Sequence, residues 1–136
     1  MDNPTVKNIV AAIVGIMIAV LVVGLVEMAG HMIFPPPEGL DVTKPEDQAR
    51  LMEVIPLGAK IAVMVAWFVG AFSGVFAARR IGSTSWPSWL VSALMIAASF
   101  YTTTLFPHPV WMTAGAVLLP LAALMIGGRM IPLPKP

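Results

Sequence analysis

Four long apolar segments, separated by short polar ones, form the pattern of the chain. The first contains only apolar residues and glycine from Ile9 to Val26. In lipid such a segment must be helical, because a bilayer has no water to hydrogen-bond the backbone, and about 20 residues cross its core. The pattern predicts membrane spans over about residues 8–33, 56–79, 86–106 and 109–128.

A signal peptide is the alternative interpretation of the first segment, because Lys7 precedes it. The apolar run is longer than the core of such peptides, and no small-residue cleavage site follows it promptly. We therefore expect an uncleaved helix.

The polar segment over residues 35–55 is predicted to form a loop on the outer side of the membrane. It begins with three consecutive prolines, which cannot continue the first helix. Further along, Thr43 stands two residues before Pro45, a pattern typical of a capped helix start. We expect a short amphipathic helix over about residues 45–54, with Leu51, Val54 and Ile55 directed toward the membrane.

Composition places the chain in the membrane class. Of its 136 residues, 58% are hydrophobic and 11% are charged, against roughly 25% charged residues in soluble domains. We predict a single domain, an all-α integral membrane protein that forms a four-helix transmembrane bundle of two helical hairpins. The lipid bilayer is its expected partner. A net charge of +1 provides no basic surface for nucleic acid. The lack of cysteine excludes thiolate nucleophiles, iron–sulfur ligation and cysteine-based zinc sites.

The basic residues predict that both termini face the cytoplasm. Lysines and arginines concentrate on the cytoplasmic side of membrane proteins. Three of them lie near the first loop, where acids outnumber them, and five lie at the termini or in the second loop. The five are Lys7, Arg79, Arg80, Arg129 and Lys135. The expected location is a bacterial inner membrane.

Glu27 and His31 place two titratable side chains on one face of the first span. An ionised carboxylate at bilayer depth costs ~2.5–3.5 kcal/mol, so we expect Glu27 to be paired, neutral or hydrated. Glu27 either orients its helix or forms an ion or proton site. Lys60, near the start of the second span, is predicted to lie at the same depth and to pair with Glu27. Alternatively, Lys60 extends to the interface along its own apolar stem.

The histidines offer a metal or haem-type site as a further hypothesis. His31 and His108 are both predicted on the outer side of the membrane, the latter in a rigid Pro-His-Pro turn. Imidazole is a common ligand for such groups. The chain contains no HxxxH or HExxH spacing, so the metal stays unknown and we expect no cofactor.

The third span carries a polar stripe within one sector of about 60°, made of Ser88, Ser92, Ser99 and Thr103. Hydroxyls in membrane helices commonly bond to a backbone carbonyl or a neighbouring helix. A polar lining for a solute path is the other interpretation. In the fourth span, Pro120 removes the hydrogen bond that the Ala116 carbonyl would normally accept.

Small residues recur at every fourth position in the first two spans. Such faces allow close approach of helix backbones and favour bundle or oligomer formation. The motifs are Ala11-x-x-x-Gly15-x-x-x-Ala19 and Gly70-x-x-x-Gly74-x-x-x-Ala78. The sequence does not specify which pair of helices meets through them.

No nucleophile elbow, phosphate loop, dinucleotide fingerprint or pair of catalytic carboxylates is present, so we predict that the chain is not an enzyme. The leading hypothesis is a non-catalytic structural or accessory bundle, either a homo-oligomer or a subunit of a larger membrane complex. The alternative is an oligomeric ion- or proton-coupled transporter or channel that uses Glu27. A weaker one is a metal-binding or redox component that uses His31 and His108.

Several motifs together resemble those of small four-helix proteins of the bacterial inner membrane to which no activity is assigned. The resemblance covers most of the chain and implies the same four-span fold. The motifs are Glu27-x-x-Gly30-His31, Pro35-Pro36-Pro37-Glu38-Gly39-x-Asp41, Pro56-Leu57-Gly58-Ala59 and Pro107-His108-Pro109-x-Trp111-Met112. Small multidrug-resistance exporters also have a Glu in the first helix but lack the long acidic loop, and the asparagine-rich pore of fluoride channels is absent.

Overall fold

Four long helices and one short one form the protein in a computed structural model that describes residues 2–135. The helices are α1 (Pro4–Ile33), α2 (Pro45–Val54), α3 (Leu57–Ile81), α4 (Trp86–Leu105) and α5 (Val110–Met130). All but α2 are long and apolar enough to cross a membrane. The described residues contain no strand. The predicted class, an all-α four-helix membrane bundle, is confirmed.

The ends of α1 follow from local capping and from proline. The side chain of Asn3 accepts a hydrogen bond from the backbone N–H of Thr5 at 2.9 Å, so α1 begins at Pro4, before the predicted start at residue 8. It ends at Ile33, shortly before the proline block. At 1.5 Å per residue its length is about 45 Å, more than the ~30 Å hydrocarbon core.

Helix α3 occupies the central position of the bundle. It packs against α1, α4 and α5, and α4 also packs against α1 and α5. Helices α1 and α5 do not contact each other, so they lie on opposite sides of the α3–α4 pair. The two sequential hairpins, α1 with α3 and α4 with α5, are therefore held together mainly through α3.

The small-residue motifs of α1 and α3 form one seam. A Cβ atom added to Gly74 would lie 2.6 Å from the Gly15 carbonyl oxygen and 2.8 Å from the Cβ of Ala19. One added to Gly15 would lie 2.9 Å from the Gly74 carbonyl oxygen. Because no side chain separates the two backbones here, the helices meet as closely as small-x-x-x-small motifs permit.

Helix α2 is anchored to the bundle by Met52. That side chain is buried in a cluster with Trp67, Met112 and Ala116. Ile55 packs against the same cluster, and Val54 is 55% exposed. The direction of Leu51, Val54 and Ile55 toward the membrane stays a prediction.

The turn before α2 is organised by Asp41 and not by a threonine cap. The residue that caps α2 is Lys44, without a side-chain hydrogen bond. Thr43 instead donates to Asp41 Oδ1 from its hydroxyl at 2.6 Å and from its backbone N–H at 2.9 Å. The hydrogen bonds from the side chain and then the backbone of Thr43 lower the pKa of Asp41 below its ordinary value of 3.8.

We expect Thr43→Val to raise the pKa of Asp41 toward its ordinary value, because the hydroxyl donor to the carboxylate is removed. Since the folded-state pKa is the lower one, the turn is stabilised above the unfolded-state pKa and loses that stabilisation as the pH falls through the folded-state value. NMR titration of the Asp41 carboxyl in detergent micelles measures the midpoint. Thr104→Val, a change far from the loop in sequence, is the control. An unchanged midpoint in Thr43→Val would contradict the assignment.

Candidate functional site

A groove between α1 and α4 contains Glu27. Its volume is about 220 Å³, and Trp67 of α3 forms part of its wall. Helix α4 contributes Ser99 and Thr102, and Met95 adds an apolar wall. The Glu27 side chain is half-buried. The structure therefore places this carboxylate beside hydroxyl-bearing residues of another helix.

The predicted pair of Glu27 and Lys60 is not present. A Cβ atom added to Gly30 would lie 3.3 Å from the Ala62 Cβ, and one added to Gly58 would lie 2.8 Å from a ring carbon of Phe34. Since α1 and α3 run antiparallel, Lys60 lies level with residues 31–33, more than one helical turn beyond Glu27. No ion pair joins the two side chains, and Lys60 does not line the groove. The equal-depth prediction was wrong because it ignored the offset with which the α1–α3 seam aligns the helices.

Ser99 acts on the backbone of α5 at the place where proline disturbs it. Pro120 lies inside α5 and has no N–H, so the Ala116 carbonyl loses its usual donor. The Ser99 hydroxyl lies 2.7 Å from that carbonyl oxygen and 2.7 Å from the carbonyl oxygen of Met95 in its own helix. Its single proton serves these acceptors. Ser99 thus has a structural role, although it also lines the groove with Glu27.

The rest of the stripe is engaged in the same way. Ser92 donates to the Pro120 carbonyl at 2.9 Å, and Ser88 donates to the Ser85 carbonyl at 2.7 Å. The hydroxyl of Thr103 donates to the Phe100 carbonyl of its own helix at 2.6 Å. All of these donors bond to backbone carbonyls, which matches the interpretation of the stripe as a structural feature.

The two histidines occupy different environments. His108 lies against Trp67, with ring centroids 6.3 Å apart, and its Nδ1 is 2.9 Å from the Phe106 carbonyl oxygen. A carbonyl only accepts, so Nδ1 carries the proton. His31 is exposed at the end of α1. Within residues 2–135, no group of three His, Asp or Glu side chains could hold a metal ion. The metal hypothesis therefore gains no support from the arrangement of these residues.

Two polar residues at the opposite end of the bundle have structural roles that the sequence did not reveal. Asn8 is buried, and its Oδ1 accepts from the backbone N–H of Ser83 at 2.8 Å and of Thr84 at 3.2 Å. It ties the start of α1 to the α3–α4 loop. Arg79 Nε donates to the Ile131 carbonyl at 2.6 Å, which caps the end of α5. A lone Asn at the head of an apolar run was the available signal for the first.

Comparison with protein-family models, curated proteins and solved structures finds no match to this chain. The geometry of the chain itself is therefore the basis for a functional assignment.

Proposed function

We propose that this protein is a non-catalytic accessory bundle of a bacterial inner membrane, with both termini cytoplasmic, that works by packing against another membrane-embedded chain. The observation that carries the proposal is the position of Glu27 in a groove at the side of the bundle, between α1 and α4. The hydroxyls of Ser92 and Ser99 are bonded to α5 and do not form a free polar path. The Glu27 carboxylate is therefore the polar group that the side of the bundle offers to another membrane-embedded chain.

The cost of an unpaired carboxylate supports association at this groove. Glu27 makes no ion pair or hydrogen bond with the other described residues. At bilayer depth an ionised carboxylate costs ~2.5–3.5 kcal/mol, which a donor from a neighbouring chain would offset. Across helices a single hydrogen bond in a membrane contributes about 0.6–2 kcal/mol. A second copy of this chain or a subunit of a larger complex would supply such a donor.

The second candidate is an oligomeric proton- or ion-coupled carrier. It is favoured by the presence of Glu27, Ser99 and Thr102 in one groove. Protons or ions would bind at the carboxylate, and a neighbouring copy would close the open side. Intramembrane acids are functional candidates by default.

Cysteine cross-linking tests the proposed association, because the chain has no cysteine of its own. Ala98 is exposed and lines the groove. Leu118 on α5 is also exposed, at 59%, but does not line the groove. The contact between Ser99 and Ala116 places Leu118 at nearly the same depth, which makes it a matched control. We expect Ala98→Cys to form cross-linked species in membranes much more readily than Leu118→Cys. A dimer band indicates a second copy, and a different mass indicates another subunit. Equal cross-linking at both positions would reject association through the groove.

Substitution of Glu27 separates the two candidates. For an accessory bundle we expect Glu27→Gln, which keeps hydrogen-bonding groups, to preserve the Ala98→Cys cross-link, and Glu27→Leu to weaken it. For a carrier, Glu27→Gln abolishes a proton-linked flux in vesicles while the protein still inserts and cross-links, since amides do not titrate. The measurements are the cross-linked fraction and the pH change inside the vesicles.

A further inference from the structure

A second, larger groove lies between α1 and α3, toward the end of the bundle that carries Arg79 and Arg80. Its volume is about 460 Å³. Ile18 and Val22 of α1 form one wall, and Phe72 and Phe76 of α3 form the other. The groove is therefore apolar along its length, lies on a membrane-spanning surface and has a cation at one end.

Arg80 is the cation, and its donors are unused. Its guanidinium carbon lies 5.0 Å from the centroid of the Phe76 ring, which holds the head over the groove. Arg80 makes no hydrogen bond or ion pair with the other described residues. The adjacent Arg79 differs, because it donates to carbonyls at the end of α5. The two arginines thus have different roles: Arg79 stabilises the fold, and Arg80 presents free N–H donors near a membrane interface.

We infer that this groove binds one anionic phospholipid, with an acyl chain along the apolar wall and the phosphate at Arg80. The planar guanidinium forms paired, charge-assisted hydrogen bonds with phosphate oxygens. Basic side chains between membrane helices are typical binding sites for anionic headgroups. The surface of a membrane-spanning helix pair is covered by acyl chains. The apolar wall of the groove therefore matches the acyl chain of such a lipid, and its cationic end matches the phosphate. The inference does not depend on the proposed function of the Glu27 groove.

Lipid titration of the purified protein tests the site. The protein is stripped of lipid in neutral detergent, and bound phosphatidylglycerol or phosphatidylcholine is counted by native mass spectrometry. We expect phosphatidylglycerol to bind about tenfold more tightly than phosphatidylcholine, and Arg80→Gln to remove that preference. Inorganic phosphate alone should neither bind measurably nor compete, because it lacks the acyl chain.

Arg129→Gln is the matched control for charge. Arg129 is exposed near the end of α5 that Arg79 caps, and it lies outside the groove. Its loss should leave phosphatidylglycerol binding unchanged. Ser73 lines the groove, and its hydroxyl bonds only to Val69 of its own helix. We expect Ser73→Phe to fill the groove and to weaken the binding of both lipids.

Four outcomes would overturn the inference. Equal losses in Arg80→Gln and Arg129→Gln would indicate diffuse surface charge. Equal binding of both lipids would exclude headgroup recognition at Arg80. Unchanged binding in Ser73→Phe would show that no acyl chain lies in the groove. Dimerisation on lipid removal, blocked by Ser73→Phe, would identify a second copy as the occupant.

Discussion

Replacing Gly15 by alanine is expected to destabilise the bundle by about 3 kcal/mol, the upper end for overpacking of a closely packed site. The new Cβ would lie 2.9 Å from the Gly74 carbonyl oxygen and 2.8 Å from a methyl carbon of Val91. The first of these is a backbone atom of the facing helix and cannot rotate away. Helices α1 and α3 would have to separate along their seam. Unfolding in mixed micelles with increasing dodecyl sulfate measures the loss.

Gly24→Ala in the same helix is the control for this prediction. Apart from the adjoining residues and backbone of α1 itself, no atom lies within 4 Å of a Cβ added there. Helix propensity alone then applies, and alanine is favoured over glycine by up to about 1 kcal/mol. We expect Gly24→Ala to be neutral or stabilising. Equal effects at the two positions would mean that the α1–α3 seam does not hold the bundle together.

The second large effect is expected at Ser99, and it should depend on Pro120. Ser99→Ala removes the donor to the Ala116 carbonyl, which has no backbone donor because of the proline. A buried carbonyl left unsatisfied costs about 1–3 kcal/mol, and measured values within membranes lie near the lower end. We expect a loss of about 1–2 kcal/mol in the same unfolding assay. The loss should shrink markedly when Pro120 is also replaced by alanine.

The coupling, and not the single change, identifies the mechanism. Pro120→Ala restores an N–H that can bond to the Ala116 carbonyl within α5, so the hydroxyl becomes dispensable. Thr104→Val serves as the control, since its hydroxyl donates to Tyr101 of its own helix and is exposed. Additive effects of Ser99→Ala and Pro120→Ala would show that the serine stabilises α4 alone.

The helices were largely predictable from sequence because each is determined locally. A long apolar run has one way to satisfy its backbone in lipid, and prolines near residues 35 and 45 mark where helices stop and start. The start of α1 was less predictable. Asn3 lies outside the apolar run, and its cap extends the helix to Pro4.

The candidate site was predictable only in part. The exclusion of Glu27 from a purely apolar environment follows from the cost of charge in lipid. The sequence does not identify the neighbours of Glu27 in the groove, because they belong to other helices. Because Gly30 aligns with Ala62, Lys60 lies beyond the level of Glu27. The residues that line the groove with Glu27 include Ser99 and Thr102 of α4. Register between helices depends on which small residues meet, and no local pattern encodes that choice.

The amino-acid sequence alone determined the number of membrane helices, the breaks between them and the carbonyl that Pro120 leaves without a donor. These depend on backbone hydrogen bonding and on lipid as solvent, which act within one segment. Tertiary structure alone decided that α1 meets α3 through glycine, that Ser99 serves the Ala116 carbonyl, and that Glu27 faces a groove without Lys60. Each of these needs the distance between two helices, which packing of complete side chains sets.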